Sequence, residues 1–131
     1  MWGRGERTVR FSEEAFEGLA AQALEGLPQE VREMLDNVVV TVQPLPTKRE
    51  QVEMGLQGPY DLLGVYYGIP QTEREGYNLS LPDRIVLFQR PIEAVCNSDA
   101  EVVEEVRRTV LHELAHHFGI DDERLEELGL E

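Results

Sequence analysis

The stretch from Asp99 to Asp122, DAEVVEEVRRTVLHELAHHFGIDD, constrains this chain more than any other. Its apolar residues Val103, Val106, Val110, Leu114 and Phe118 recur three and four apart, the period of a helix with one face against a core. His112 and His116 fall on a different arc, roughly opposite. At about 100° per residue they lie about 40° apart in rotation and one turn apart along the axis. Two imidazoles so placed can ligate one metal ion, and Glu113 stands beside them to act on a bound water. The stretch therefore predicts a long helix with one face in a core and the other lining a cleft.

The pattern continues past the second histidine as H-E-x-x-H-x-x-G-x-x-D, through Gly119 and Asp122. A glycine can take positive φ and end the helix sharply, letting the chain double back to bring Asp122 against the histidines. Two imidazoles and a carboxylate make three protein ligands and leave a fourth position open, as a catalytic zinc site requires. On average residue usage, H-E-x-x-H alone arises by chance in about 0.3% of chains this long, and the extended pattern in roughly one in 10⁵. The competing reading is a pair of exposed helix histidines with no ligand. Asp121 could replace Asp122 or orient a histidine, but the spacing favours Asp122. His117 lies nearer the apolar arc and is expected to be buried or to support a ligand rather than to be one.

The extended motif resembles that of the zincin metallopeptidases in their aspartate-ended form. More narrowly, TVLHELAHHFGIDDERLEELG is similar to the small bacterial minimal zincins, as are LLGVYYGIPQTERE and LPDRIVLFQRPIE upstream. The resemblance covers the chain from about Gly55 to its end. It implies an α+β fold, a small mixed sheet of about three strands packed with about four helices, carrying zinc. It also implies that an extended substrate pairs with an edge strand above the metal. No methionine follows the motif, so a metzincin-type Met-turn is not expected. Nine residues follow Asp122, from which a shallow cleft is expected.

At 131 residues the chain is expected to form one domain, spanning 1–131. Its 26 acidic and 12 basic residues give a formal charge of −14, which repels phosphate backbones and argues against nucleic acid as a partner. Most of the acid sits at helix-like positions and reads as a solvated surface, although a taste for basic peptides is a sharper alternative. Cys96 is the only cysteine, so no disulfide framework or thiolate metal site is expected, and a small buried apolar role suits it. MWGRGERTVRF holds no apolar run of the secretory kind, and eighteen apolar residues nowhere occur together. A reducing, cytoplasmic location with no membrane association is the expectation.

Taken in order, Thr8 to Phe11 reads as a possible short strand, and Ser12 as the cap of a helix to about Leu24 with Phe16, Leu19, Ala20, Ala23 and Leu24 inward. Pro28 opens a second helix to about Leu35, with Val31, Met34 and Leu35 inward. Val38 to Val42 reads as a strand buried on both faces, and Lys48 to Met54 as a short helix. Leu62 to Ile69 contains Gly64 and Gly68 and precedes Pro70, which suits an antiparallel edge strand beside the cleft. Gln71 to Leu81 carries no readable motif. Arg84 to Gln89 is the central strand, Pro91 to Val95 leads onward, and Ser98 or Asp99 caps the histidine helix. Asp121 to Leu128 reads as a last short helix.

The chemistry these residues support is peptide hydrolysis. Zinc held by His112, His116 and Asp122 would lower the pKa of a bound water to about 7, with Glu113 as general base and proton carrier. The substrate would be a peptide or an unfolded protein segment. Tyr60, Tyr66, Tyr67, Tyr77 and Arg84 are all possible oxyanion donors, each better suited to a structural role. Two other classes stay open: a zinc-binding domain whose catalysis is vestigial and which serves stability or a partner, and a metal hydrolase for another bond, such as an RNase. The charge and the presence of Glu113 count against the last.

Overall fold

A computed structural model of the chain describes residues 10–68 and 82–127, apart from the side chain of Asp122. Ser12 caps α1 (Glu13–Glu25) by accepting the Ala15 N–H at 3.0 Å, with Glu13 and Glu14 against the positive end of the helix. Phe16, Ala20 and Ala23 are its buried stripe. Leu19 and Leu24 are half-buried against the same core. Gly26 ends α1, and Pro28 precedes α2 (Gln29–Met34), which buries Val31 and leaves Met34 and Leu35 half-buried.

After α2 come β1 (Val38–Gln43), α3 (Lys48–Glu53), β2 (Gly64–Tyr67) and β3 (Asp83–Phe88). Then follow α4 (Gln89–Ala94), α5 (Asp99–Phe118) and α6 (Asp122–Glu127). The expected α+β architecture holds, with six helices among the described residues rather than about four. The helix missing from the sequence reading is α4, which begins at Gln89, the expected last residue of a strand. Pro91 sits inside its first turn, where a missing N–H costs nothing. Of the possible strand from Thr8 to Phe11, Arg10 and Phe11 are described and lie in no strand, and the connector from Gln71 to Leu81 lies outside the described residues.

The sheet has the order β1-β3-β2, with β1 parallel and β2 antiparallel to β3. β3 is central, as expected, because Ile85, Val86, Leu87 and Phe88 are all at most 1% exposed and fill both faces. β2 is the expected antiparallel edge, shorter than Leu62 to Ile69, with Ile69 outside the described residues. β1 corrects the sequence reading. Its place beside β3 is the expected one, but it is not buried on both faces. Val38, Val40 and Val42 pack on the core, but Val39 is 44% exposed on the other side.

Gly64 suits an edge by residue type, but the reason for it is contact. A Cβ there would stand 2.8 Å from Thr109 Cγ2 on α5 and 2.9 Å from the Val86 carbonyl oxygen on β3. β2 is therefore wedged against the histidine helix at a separation only glycine permits. Gly64→Ala should push β2 away from α5 and destabilise the fold by about 2 kcal/mol, read as a lower urea midpoint. An unchanged midpoint would mean that the strand relaxes freely and the close approach is incidental.

Candidate functional site

Ser98 caps α5, its hydroxyl accepting the Glu101 N–H at 3.2 Å, while Asp99 and Glu101 sit in the first turn. The buried arc comprises Val102, Val106, Thr109, Val110, Leu111, Leu114 and Ala115, with Val103 half-buried beside it. Phe118, expected on this arc, is 50% exposed, because the helix runs past the end of the core there. On the opposite side His112 and His116 are exposed, and among the described residues no hydrogen bond engages either ring. Glu113 between them is half-buried.

Gly119 ends α5 in the left-handed conformation, at φ 70° and ψ 32°. The Ile120 N–H then reaches back to the Ala115 carbonyl at 2.9 Å, and Ile120 packs on the core. This is the Schellman closure, with its apolar contact, that the glycine predicts. The chain reverses and Asp121 caps α6, its Oδ1 accepting the Arg124 N–H at 2.9 Å. By sequence Asp121 and Asp122 are rivals, with the spacing favouring Asp122; one oxygen of the Asp121 carboxylate is taken by this cap. Asp122 is the first residue of α6.

Glu113 faces the edge strand. Its Oε1 accepts the Tyr66 N–H at 3.1 Å. The Phe88 N–H donates to the Leu63 carbonyl at 2.8 Å, so antiparallel alternation turns the backbone of Gly64 and Tyr66 toward the outer edge of β2. Burial pushes the Glu113 carboxyl above the usual carboxylate range, opposed by the Tyr66 amide and by the positive potential of His116 and His112.

Tyr66 is the hub that sequence reasoning underrates. Its hydroxyl donates to Asp83 Oδ2 at 2.6 Å, and the His117 ring stacks on it at 4.0 Å with 17° between planes. His117 Nε2 lies 3.8 Å from the same carboxylate oxygen, and the Phe118 ring meets His117 edge-on at 4.8 Å. Of the two roles expected of His117, burial is therefore not the one it takes: it is exposed and held over β2 by an aromatic stack. Strand alternation sends Tyr67 to the other face, where its hydroxyl donates to Glu50 Oε2 at 2.6 Å. There the Arg84 guanidinium lies 5.2 Å from the Tyr67 ring centre. Burial and the Glu50 carboxylate push the Tyr67 phenol up to about 12. Of the residues considered as oxyanion donors, Tyr67 and Arg84 therefore lie across the sheet from Tyr66, and the Tyr66 hydroxyl serves Asp83. Tyr60 is 51% exposed in the loop before β2, and Tyr77 lies outside the described residues.

Among the described residues no group of three or more His, Cys, Asp or Glu side chains could hold a metal ion. Two imidazoles one turn apart, with a half-buried carboxylate beside them, nevertheless have the donor chemistry that suits zinc.

The sequence profile of the zincin-like metallopeptidase family matches residues 35–130, and the chain belongs to that family. The match starts ahead of Gly55, where the resemblance sets in, and takes in β1 and α3. A solved structure, that of a conserved hypothetical protein from Thermo thermophilus, is similar at a TM-score of 0.48 and 24% identity. The alignment covers 84% of this chain and 100% of that one. No curated protein matches the chain.

Proposed function

We propose that the protein is a zinc-dependent peptidase acting on peptides or unfolded protein segments. The observation that carries this reading is the half-buried Glu113 carboxylate flanked by the exposed His112 and His116 rings on a helix fixed in the core. His112 and His116 would hold the metal, with Asp122 as the third ligand, favoured by the motif spacing and by the α6 cap that takes one oxygen of Asp121. When bound, zinc supplies Lewis acidity to the scissile carbonyl and to the attacking water. Glu113 would take the proton of that water and pass it to the departing amine, and burial raises its carboxyl. β2, the edge strand beside Glu113, is the strand on which an extended peptide would pair.

The formal charge of −14 makes nucleic acid a poor substrate, so the RNase reading falls behind. No helix among the described residues is long and apolar enough to cross a membrane. Cys96 is 2% exposed, its thiol pushed up to about 11 by burial, which makes it a poor nucleophile.

A second reading has an observation of its own. Glu113 is already bonded to the Tyr66 N–H, as it would be if the carboxylate only held β2 to α5 in a zinc-binding domain without turnover. Both readings require the metal, so it is tested first. Protein purified without chelator should carry about one zinc per chain, and the double variant His112→Ala/His116→Ala should carry none. Full stoichiometry in that variant would place the zinc elsewhere and sink both readings. Turnover separates them.

A further inference from the structure

The third ligand differs from the other two in how it is held. His112 and His116 stand on α5, between the buried Leu111, Leu114 and Ala115. Asp122 belongs to a separate six-residue helix beyond the Gly119 turn, too short to persist by itself. What fixes α6 is tertiary. Leu125 is 7% exposed in the core cluster, and the Arg124 guanidinium reaches across to Glu30 on α2 while also pairing with Glu127 Oε1 at 2.9 Å. Its backbone N–H meanwhile seals the Asp121 cap.

We propose that α6 is a clamp, and that Leu125, Arg124 and Glu30 are positioning residues that set the metal affinity of the site without touching the metal. The proposal rests on the zinc reading above. A carboxylate on an undocked α6 has no fixed place relative to the histidines. The affinity of the site then includes the fraction of time α6 is docked, as in any site whose competent state is one of two. Residues supporting a metal ligand from outside the ligand set commonly change affinity by about 10–100-fold when removed. Leu125 is the largest such support here, and the exposed Arg124–Glu30 pair a smaller one, of about two- to fivefold.

The test is a cycle of zinc affinities, measured by competition with a chromophoric chelator in the full chain. Leu125→Ala should weaken zinc binding by about 10–100-fold, approaching the loss from Asp122→Ala itself. Arg124→Ala and Glu30→Gln should each weaken it by about two- to fivefold, and Arg124→Lys, which keeps the charge, should recover most of that loss. In an Asp122→Ala background all these effects should disappear, because the clamp then has no ligand to place. Equal losses in both backgrounds would mean general destabilisation and overturn the clamp. So would wild-type affinity in the exposed variants Arg124→Ala and Glu30→Gln, which stay informative if Leu125→Ala fails to fold. A wild-type chain that takes up no zinc overturns the zinc reading and the clamp with it. A zinc-binding chain with no coupling overturns the clamp alone.

Discussion

Glu113→Gln should lower peptide hydrolysis by about 10²–10⁴-fold while zinc content stays near that of the wild type. The substitution is close to isosteric. A glutamine side-chain oxygen can still accept the Tyr66 N–H that Glu113 Oε1 holds at 3.1 Å, so the contact between α5 and β2 survives. What disappears is the proton acceptor. One position along the helix from His112, Glu113 is turned about 100° away from it, toward the edge strand rather than the other ring. Asp122→Ala should behave differently, weakening zinc binding first and activity as its consequence, because a ligand has gone. Excess zinc should restore part of the Asp122→Ala activity and none of the Glu113→Gln activity. Zinc titration alongside a peptide-library cleavage assay checks both. Equal metal loss in the two variants would make Glu113 a ligand and end the general-base mechanism. A wild-type chain that binds zinc but cleaves nothing would leave the second reading standing, with Glu113 as a strut between helix and strand.

The largest expected loss of stability lies far from the histidines, at Glu93. This carboxylate on α4 is 2% exposed and accepts from the Phe11 N–H at 3.0 Å, Gln89 Nε2 at 2.8 Å and Arg90 Nη1 at 2.6 Å. Gln89 Nε2 also donates to the Phe11 carbonyl at 2.8 Å, so Gln89 and Glu93 together grip both backbone groups of Phe11. That grip ties the start of α1 to the helix that follows the central strand. Glu93→Ala would strand several donors at once in a buried place. Breaking such a set costs about 3–5 kcal/mol, at the lower end here because Arg90 is 27% exposed and can turn to water. A loss of about 3 kcal/mol lowers Tm by roughly 10 °C in a domain of this size, measurable by calorimetry. Glu93→Gln should cost less, since it keeps the shape and one acceptor. A Glu93→Ala protein within about 1 kcal/mol of wild type would show that water takes over the pairing.

What the sequence makes legible is local. The period of α5, its Ser98 cap, the Gly119 turn and the opposition of His112 to the apolar arc all depend on neighbours within a turn or two. The sheet order is also legible, because the glycines and Pro70 mark β2 as an edge and Ile-Val-Leu-Phe marks β3 as a centre. α4 escapes such a reading because Pro91 looks like a breaker unless its place in the first turn is known. Phe118 is misplaced because periodicity says which residues share an arc but not where the core beneath them ends. His117 is misplaced for the same reason. The contacts that join distant segments leave no periodic trace at all. Phe11 with Glu93 is separated by 82 positions, Tyr66 with Glu113 by 47, and Glu30 with Arg124 by 94. Gly64 shows the limit most plainly. The residue type is noticeable and the rule applied to it is sound, but the cause is the Thr109 methyl on another element.

β1 has a consequence for how copies of the protein treat one another. It pairs with β3 along one side, and no described strand pairs with the other; Val39 stands 44% exposed on the face away from the core. An open edge rich in β-branched residues is a template on which a second chain can build, and many proteins blunt such edges with a local proline or lysine. Val38 to Gln43 contains neither. The counterweight is spread over the whole surface instead: a formal charge of −14 makes any two copies repel before their edges meet. The acid excess is then more than a solvated coat. Charge repulsion of this kind weakens as carboxylates take up protons toward the isoelectric point near pH 4.5.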